Sequence, residues 1–432
     1  MSQRKYGLPL SVSYWIKRFR YLIGLPDEID FDSYAAKKIT LMEESARSLL
    51  ITRRGYNHSD PNWEFPEFKW KNSIGRIIFI IVLIRMTILS FYPNSTNCLW
   101  INIYLGNPFH GETYSSTVAI LGLSLLVVCG ALREYCIYLD DIGAIKDLEF
   151  LRVIQLHGFD CERLLINRKQ ISSFKRFLVF HVTNWTSMLR FNKLANGLIM
   201  LSFRLYDPLF YSNPVYAIIS IIWIIMETIA SRLSFTSLLN VGGTGIALVP
   251  WYLARLRSCY DLALKVSLQN SVNESSLKRV NYRVIRFLNG LDKIMDDSKY
   301  LLFVAIFLTS FLADSVIFLA IVSKFPKQII GTFYFAGFFC ITAIGFIIYF
   351  TGGFVQLADE IYILLVKIVN KCPLAIEEKL NTHKILDRIG IFGTGTKIGD
   401  IIDRVTRDLF VYYILENAST VMLLICNINA SI

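Results

Sequence analysis

Seven stretches of apolar sequence, each about as long as a bilayer is thick, dominate this chain and restrict what it can fold into. They run from Gly75 to Tyr92, Ser115 to Leu139, Phe177 to Phe203, Pro214 to about Asn240, Tyr300 to Val322, Ile329 to Phe350 and Leu409 to Ile428. The last has 20 residues, which at helical rise covers about 30 Å. Inside hydrocarbon every backbone N–H and C=O needs an internal partner, so such runs are read as helices. With 54% hydrophobic and only 18% charged residues, the chain is more apolar than an ordinary soluble domain. The expected fold is an all-α integral membrane protein with seven transmembrane helices. The third run is the weakest, because Arg190 and Lys193 near its middle must snorkel or face protein.

The net charge of +11 would suit nucleic acid, but the basic residues lie between the apolar runs. Twelve Lys/Arg precede Arg76, none lies in 93–114, seven lie in 140–176, one in 204–213, nine in 255–299, two in 323–328 and eight in 351–408. Basic and non-basic loops therefore alternate. The positive-inside rule then puts the N-terminus in the cytosol and the C-terminus outside, and nucleic acid is not an expected partner. The chain divides into a cytosolic region (1–73), six spans with their loops (74–350), a cytosolic loop with helical extensions (351–408) and a last span with a short external tail (409–432). Asn94 opens a glycosylation sequon in an expected external loop; the sequon at Asn273 falls in an internal one.

Little in the chain suggests enzyme chemistry. The five histidines are scattered, the cysteines show no CxxC or zinc spacing, and no metal or cofactor is expected. "GIFGTGTKIGD" (390–400) fails the phosphate-loop spacing and reads as a flexible cytosolic turn. "NVGGTG" (240–245) reads as a helix break or a thin packing surface. Asp140-Asp141 and Asp296-Asp297 read as solvated helix ends, and Arg133 with Glu134 as a snorkelling pair.

Charged residues deep in the apolar runs carry more information. Arg85, Glu227 and Asp314 lie in different spans, and such groups face the bundle interior, pair, or line a wet cavity. Two of the three are expected to pair across the bundle near a ligand cavity; a purely structural ion pair is the alternative. Trp100, Tyr104, Tyr206, Phe210, Tyr211 and Tyr216 cluster at expected external boundaries, as an interfacial belt or a cavity rim. The segments 275–299 and 354–371 are amphipathic and suit either a cytosolic assembly surface or membrane-surface helices.

A cytosolic N-terminus is the reverse of the usual G-protein-coupled receptor. The inverted layout, the long basic internal loops before the fifth and seventh spans and the terminal stretch resemble the arthropod gustatory/odorant receptor family. That family's seventh helix carries Thr-Tyr, five apolar residues, then Gln-Phe. Here Thr420 matches, Val421 stands at the Tyr place, Met422 to Cys426 fill the apolar places, Asn427 stands for Gln and Ile428 for Phe. The resemblance implies a ligand-gated, non-selective cation channel of the plasma membrane, built as a homo- or heterotetramer. The seventh helices would surround the pore, and each subunit would hold its own outward-opening cavity for a tastant or other small molecule. Carried over, Leu424 is the apolar gate and Asn427 the pore amide, with Ile428 beside it; a ring of apolar side chains closes a pore by dewetting. The rival readings are a transporter or lipid-handling protein that uses Arg85, Glu227 and Asp314 as a relay, and a seven-span adaptor without conductance.

Overall fold

The computed structural model describes residues 31–57, 65–91, 99–109, 115–143, 146–269, 273–322, 327–371, 376–390 and 395–429. The principal helices are α1 (Phe31–Ser48), α2 (Phe68–Phe91), α3 (Ser115–Asp141), α4 (Arg168–Leu205), α5 (Pro214–Ser231), α6 (Ser237–Ser267), α7 (Glu274–Phe303), α8 (Thr309–Val322), α9 (Lys327–Lys371), α10 (Ile376–Gly390) and α11 (Asp408–Asn429). Five-residue π turns, Arg232–Thr236 and Val304–Leu308, join α5 to α6 and α7 to α8 without breaking either rod. The sequon at Asn94 lies outside the described residues.

Among the described residues, six helices are long and apolar enough to cross a membrane: Phe68–Phe91, Ser115–Asp141, Pro214–Ser267, Glu274–Ile321, Ile330–Lys371 and Asp408–Cys426. The expected third span lies within α4. It is helical and packs against α5 and α6, but its polar residues, Arg190 and Lys193 among them, keep it below that measure. Lys193 reaches Ser48 Oγ at 2.7 Å, so it meets protein.

Several rods are too long for a bilayer. The 45 residues of α9 span about 68 Å and the 38 of α4 about 57 Å, against a hydrocarbon core of roughly 30 Å. The surplus lengths gather at one end of the molecule. There α1, the start of α4, the end of α6, α7, the end of α9 and α10 share one apolar core, with Ile39, Leu178, Ala263, Leu277, Leu291, Leu365 and Ile385 almost fully buried. The apolar face of α7 is spent in this core, so the membrane-surface reading of 275–299 does not hold.

The "NVGGTG" stretch is continuous helix in α6, not a break. Gly243 serves close packing: a Cβ there would stand 1.9 Å from Trp185 Nε1, and His181 Nε2 meets the Gly243 carbonyl at 2.8 Å. Arg133 does not snorkel. It is buried and donates to the Leu50 carbonyl at 2.8 Å and to Asn72 Oδ1 at 2.5 Å. Asp140 is fully buried rather than solvated, and accepts the backbone N–H of Arg53 at 2.6 Å. Together they fasten the segment after α1 to α3. The described part of 390–400 is pinned as well. Ile398 bridges to Ile402, Gly399 N–H donates to the Lys299 carbonyl at 2.9 Å, and Lys397 meets Asp296 at 3.0 Å.

Candidate functional site

Two arginines and one glutamate from three helices meet in the half of the molecule away from the shared core. Arg85 of α2 and Glu227 of α5 form an ion pair, and Arg204 at the end of α4 donates to both oxygens of Glu227 at 3.0 and 3.1 Å. The arginine side chains are each 1% exposed and the glutamate 10%. Two cations against one anion need further acceptors, and the short helix Leu99–Leu105 supplies them. Arg85 Nε donates to the Leu105 carbonyl at 2.5 Å and Nη2 to the Gly106 carbonyl at 3.0 Å. Those carbonyls belong to the end of a helix, where they are unpaired and carry partial negative charge. Gly106 takes φ +55°, which a glycine adopts without strain. Trp223 lies under the Arg85 guanidinium at 4.8 Å and donates its Nε1 to the Tyr104 carbonyl at 3.0 Å. Nearby, Tyr216 is fully buried and donates to Asp207 Oδ2 at 2.5 Å, so it is neither a belt nor a rim residue. Trp100, Tyr104, Tyr206 and Tyr211 are exposed.

Arg85 and Glu227 are thus brought together, and Asp314 is not with them. Asp314 lies on α8, is 3% exposed and lines a separate cavity of about 310 Å³ between α8, α9 and α11. Ser310, Tyr412, Tyr413, Glu416 and Thr420 also line it, and among the described residues no Lys or Arg does. Neither Arg85 nor Glu227 lines this cavity, so a contiguous three-residue relay is not assembled. Sequence reasoning missed Arg204 by treating it as the basic residue of an external loop. A lone glutamate facing an arginine in mid-span, with a second arginine at the end of the neighbouring run, was the available signal.

Helix α11 is the least covered of the apolar helices, with 11% of its apolar stretch buried in the chain. Its covered stripe runs through Tyr413, Asn417, Thr420 and Leu424, near-helical spacing that keeps them on one face. Ser310 donates to Tyr413 Oη at 2.8 Å and Asn417 Nδ2 to the Tyr413 carbonyl at 2.7 Å. Val421 and Leu424 are half-buried; Met422, Leu423 and Cys426 are exposed. Asn427 and Ile428 belong to the helical run, and their side chains lie outside the described residues.

A second cavity, about 220 Å³, lies where the segment after α1 meets α3, α6, α7 and α9. Gly242 and Gly245 of the glycine stretch border it, and a Cβ at either would meet nothing within 4 Å.

The architecture is that of an all-helical, multi-pass membrane fold whose rods continue into a helical bundle at one end. Two solved structures share it. One is the insect olfactory receptor OR5 from Machilis hrabei in complex with eugenol, with a TM-score of 0.64 and 11% identity, covering 92% of this chain and 99% of that one. The other is the same receptor described without a ligand in its name, with a TM-score of 0.58 and 12% identity, covering 96% and 98%. No protein-family model matches the sequence, and no curated protein matches it. At this identity the likeness establishes the fold, which is that of an insect olfactory receptor.

Proposed function

We propose that this chain is a subunit of a chemosensory receptor that is itself a ligand-gated, non-selective cation channel. It sits in the plasma membrane with its N-terminus inside, assembles as a homo- or heterotetramer, and opens to a small external molecule of the gustatory type. The observation that carries the reading is the end-to-end structural correspondence with a receptor captured with eugenol, a small organic ligand. Two features of the chain support it. Most of the apolar stretch of α11 is left uncovered by its own chain, a face that a ring of subunits can take up. The α8–α11 cavity is lined by Asp314 and Glu416 and, among the described residues, by no basic residue, an arrangement that favours cations over anions. Asn94 is the proposed glycosylation site on the outer side.

In this reading the ligand stabilises an open arrangement of the α11 ring through its higher affinity for that state. Leu424 is the proposed gate, Asn427 the pore amide with Ile428 beside it, and Thr420 and Val421 belong to the packing of the motif. The exposure of Met422 and Leu423 favours a second assignment of the gate, one position round the helix.

Whole-cell recording in a heterologous cell tests the proposal. Leu424→Ala is expected to raise basal cation current. If Leu423→Ala does so and Leu424→Ala does not, the gate passes to the exposed stripe. Silence across a broad panel of small organic ligands, together with a monomer on native gels, removes the channel reading.

A further inference from the structure

Four arginines, at the end of the molecule that loop charges place in the cytosol, converge on one cavity. Arg255 of α6 and Arg279, Arg283 and Arg286 of α7 line a space of about 280 Å³ that, among the described residues, no carboxylate lines. The α7 arginines follow near-helical spacing and share a face, where like charges repel one another. Arg255 forms the floor. It is 7% exposed, and its guanidinium lies 4.6 Å from the Trp251 ring, 5.2 Å from Tyr252 and 5.8 Å from Phe287. None of the four makes an ion pair among the described residues. Other basic residues of the same bundle do find acids: Lys278 meets Glu274 at 2.9 Å, Arg388 meets Asp292 at 2.6 Å and Lys397 meets Asp296 at 3.0 Å. The acid that Arg255 does feel is Asp147, which accepts from the Tyr252 hydroxyl at 2.8 Å, but Asp147 is not among the residues that line this cavity, and one carboxylate cannot balance four guanidinium groups.

We propose that this cavity is an anion site for a phosphorylated polyol, either a soluble inositol phosphate or the same headgroup on a membrane lipid. Guanidinium forks match phosphate oxygens bidentately, and several forks around one space suit a ligand bearing more than one phosphate. The volume holds roughly nine waters at about 30 Å³ each, enough for a phosphorylated ring. The bound anion bridges α6 to α7, and α7 leads through its π turn to Ile306 and Phe307, which line the α8–α11 cavity. Occupancy therefore stiffens the support beneath α11.

The test uses the full chain in phosphatidylcholine nanodiscs and two probes, inositol 1,4,5-trisphosphate and dioctanoyl phosphatidylinositol 4,5-bisphosphate. Saturable binding is expected that weakens with salt and falls at least tenfold in Arg279→Gln/Arg283→Gln. Both sites are on the rim, so the fold is spared. Arg255→Met is expected to lower it similarly. Lys367→Gln/Lys384→Gln, two exposed lysines of the same bundle, is expected to leave it unchanged. Binding of the lipid probe alone, with the same loss in the rim variant, assigns the headgroup as the source. No saturable binding of either probe, or an equal loss in the lysine control, overturns the proposal. No current is measured, so failure here leaves the channel reading standing, and failure of the channel reading leaves this one standing.

Discussion

Arg85 and Arg255 are both almost fully buried on helices of apolar sequence, yet their charges are met in opposite ways. Arg85 has a carboxylate, two helix-end carbonyls and one indole face. Arg255 has three ring faces and, one hydroxyl away through Tyr252, the Asp147 carboxylate, but no direct ion pair among the described residues. The Arg85 centre adds a second arginine, and Glu227 accepts from both. The cavity beside Arg255 adds three more arginines, and among the described residues no acid lines it. An arginine whose donors are consumed by its own chain fastens helices together. One whose charge is met by ring faces and a carboxylate one hydroxyl away keeps donors for something else. The first centre ties α2, α4, α5 and the Leu99–Leu105 helix into one unit; the second leaves a gap between α6 and α7.

The largest expected effect breaks the saturated centre. Glu227→Ala strands two buried arginines and is expected to cost about 3–5 kcal/mol, read as early melting and poor yield of the detergent-solubilised chain. Adding Arg204→Met to that variant is expected to recover part of the loss. A melt unchanged by Glu227→Ala removes the structural role assigned to the cluster. Asp140→Asn is a smaller break of the same kind. It weakens the charge-assisted bonds from the backbone N–H groups of Arg53 and Arg54 and is expected to cost about 2 kcal/mol, with faster hydrogen exchange over 49–57 as its local readout. Arg255→Met sharpens the contrast. Removing a buried charge that has no direct ion pair is expected to change stability by about 1 kcal/mol or less in either direction, while anion binding is lost. A melt as damaged as that of Glu227→Ala would make Arg255 another fastening residue. The smallest effect is Gly245→Ala, outside both centres. Its Cβ meets nothing within 4 Å, so it is expected to stabilise by up to about 1 kcal/mol through helix propensity alone, seen as a slightly higher melting temperature.

Six of the apolar runs were legible because hydrophobicity over a bilayer length is a local property of the chain. The run inside α4 was legible as a helix but not as an apolar span, since its polar residues serve packing against α1 and α5. Readings that assumed solvent failed at Asp140, Arg133 and Tyr216. Each is polar and sits near an expected boundary, and nothing local in the sequence distinguishes a solvated boundary from one covered by another segment. The glycine stretch was half legible. Its thinness was right and the break was wrong, because the neighbour that needs the room is Trp185 of another helix.

By itself the sequence determined that the chain is a bundle of membrane-length helices, which sides of its loops carry positive charge, and that Arg85, Glu227 and Asp314 had to be sheltered. Only the tertiary structure decided who shelters whom. Arg85 and Glu227 are 142 residues apart, Asp314 goes to a different cavity, and the α7 arginines find Arg255 instead of an acid. Helical periodicity fixes which residues share a face of one rod. The rotation and contact of two rods depend on packing between distant segments, which no local pattern encodes.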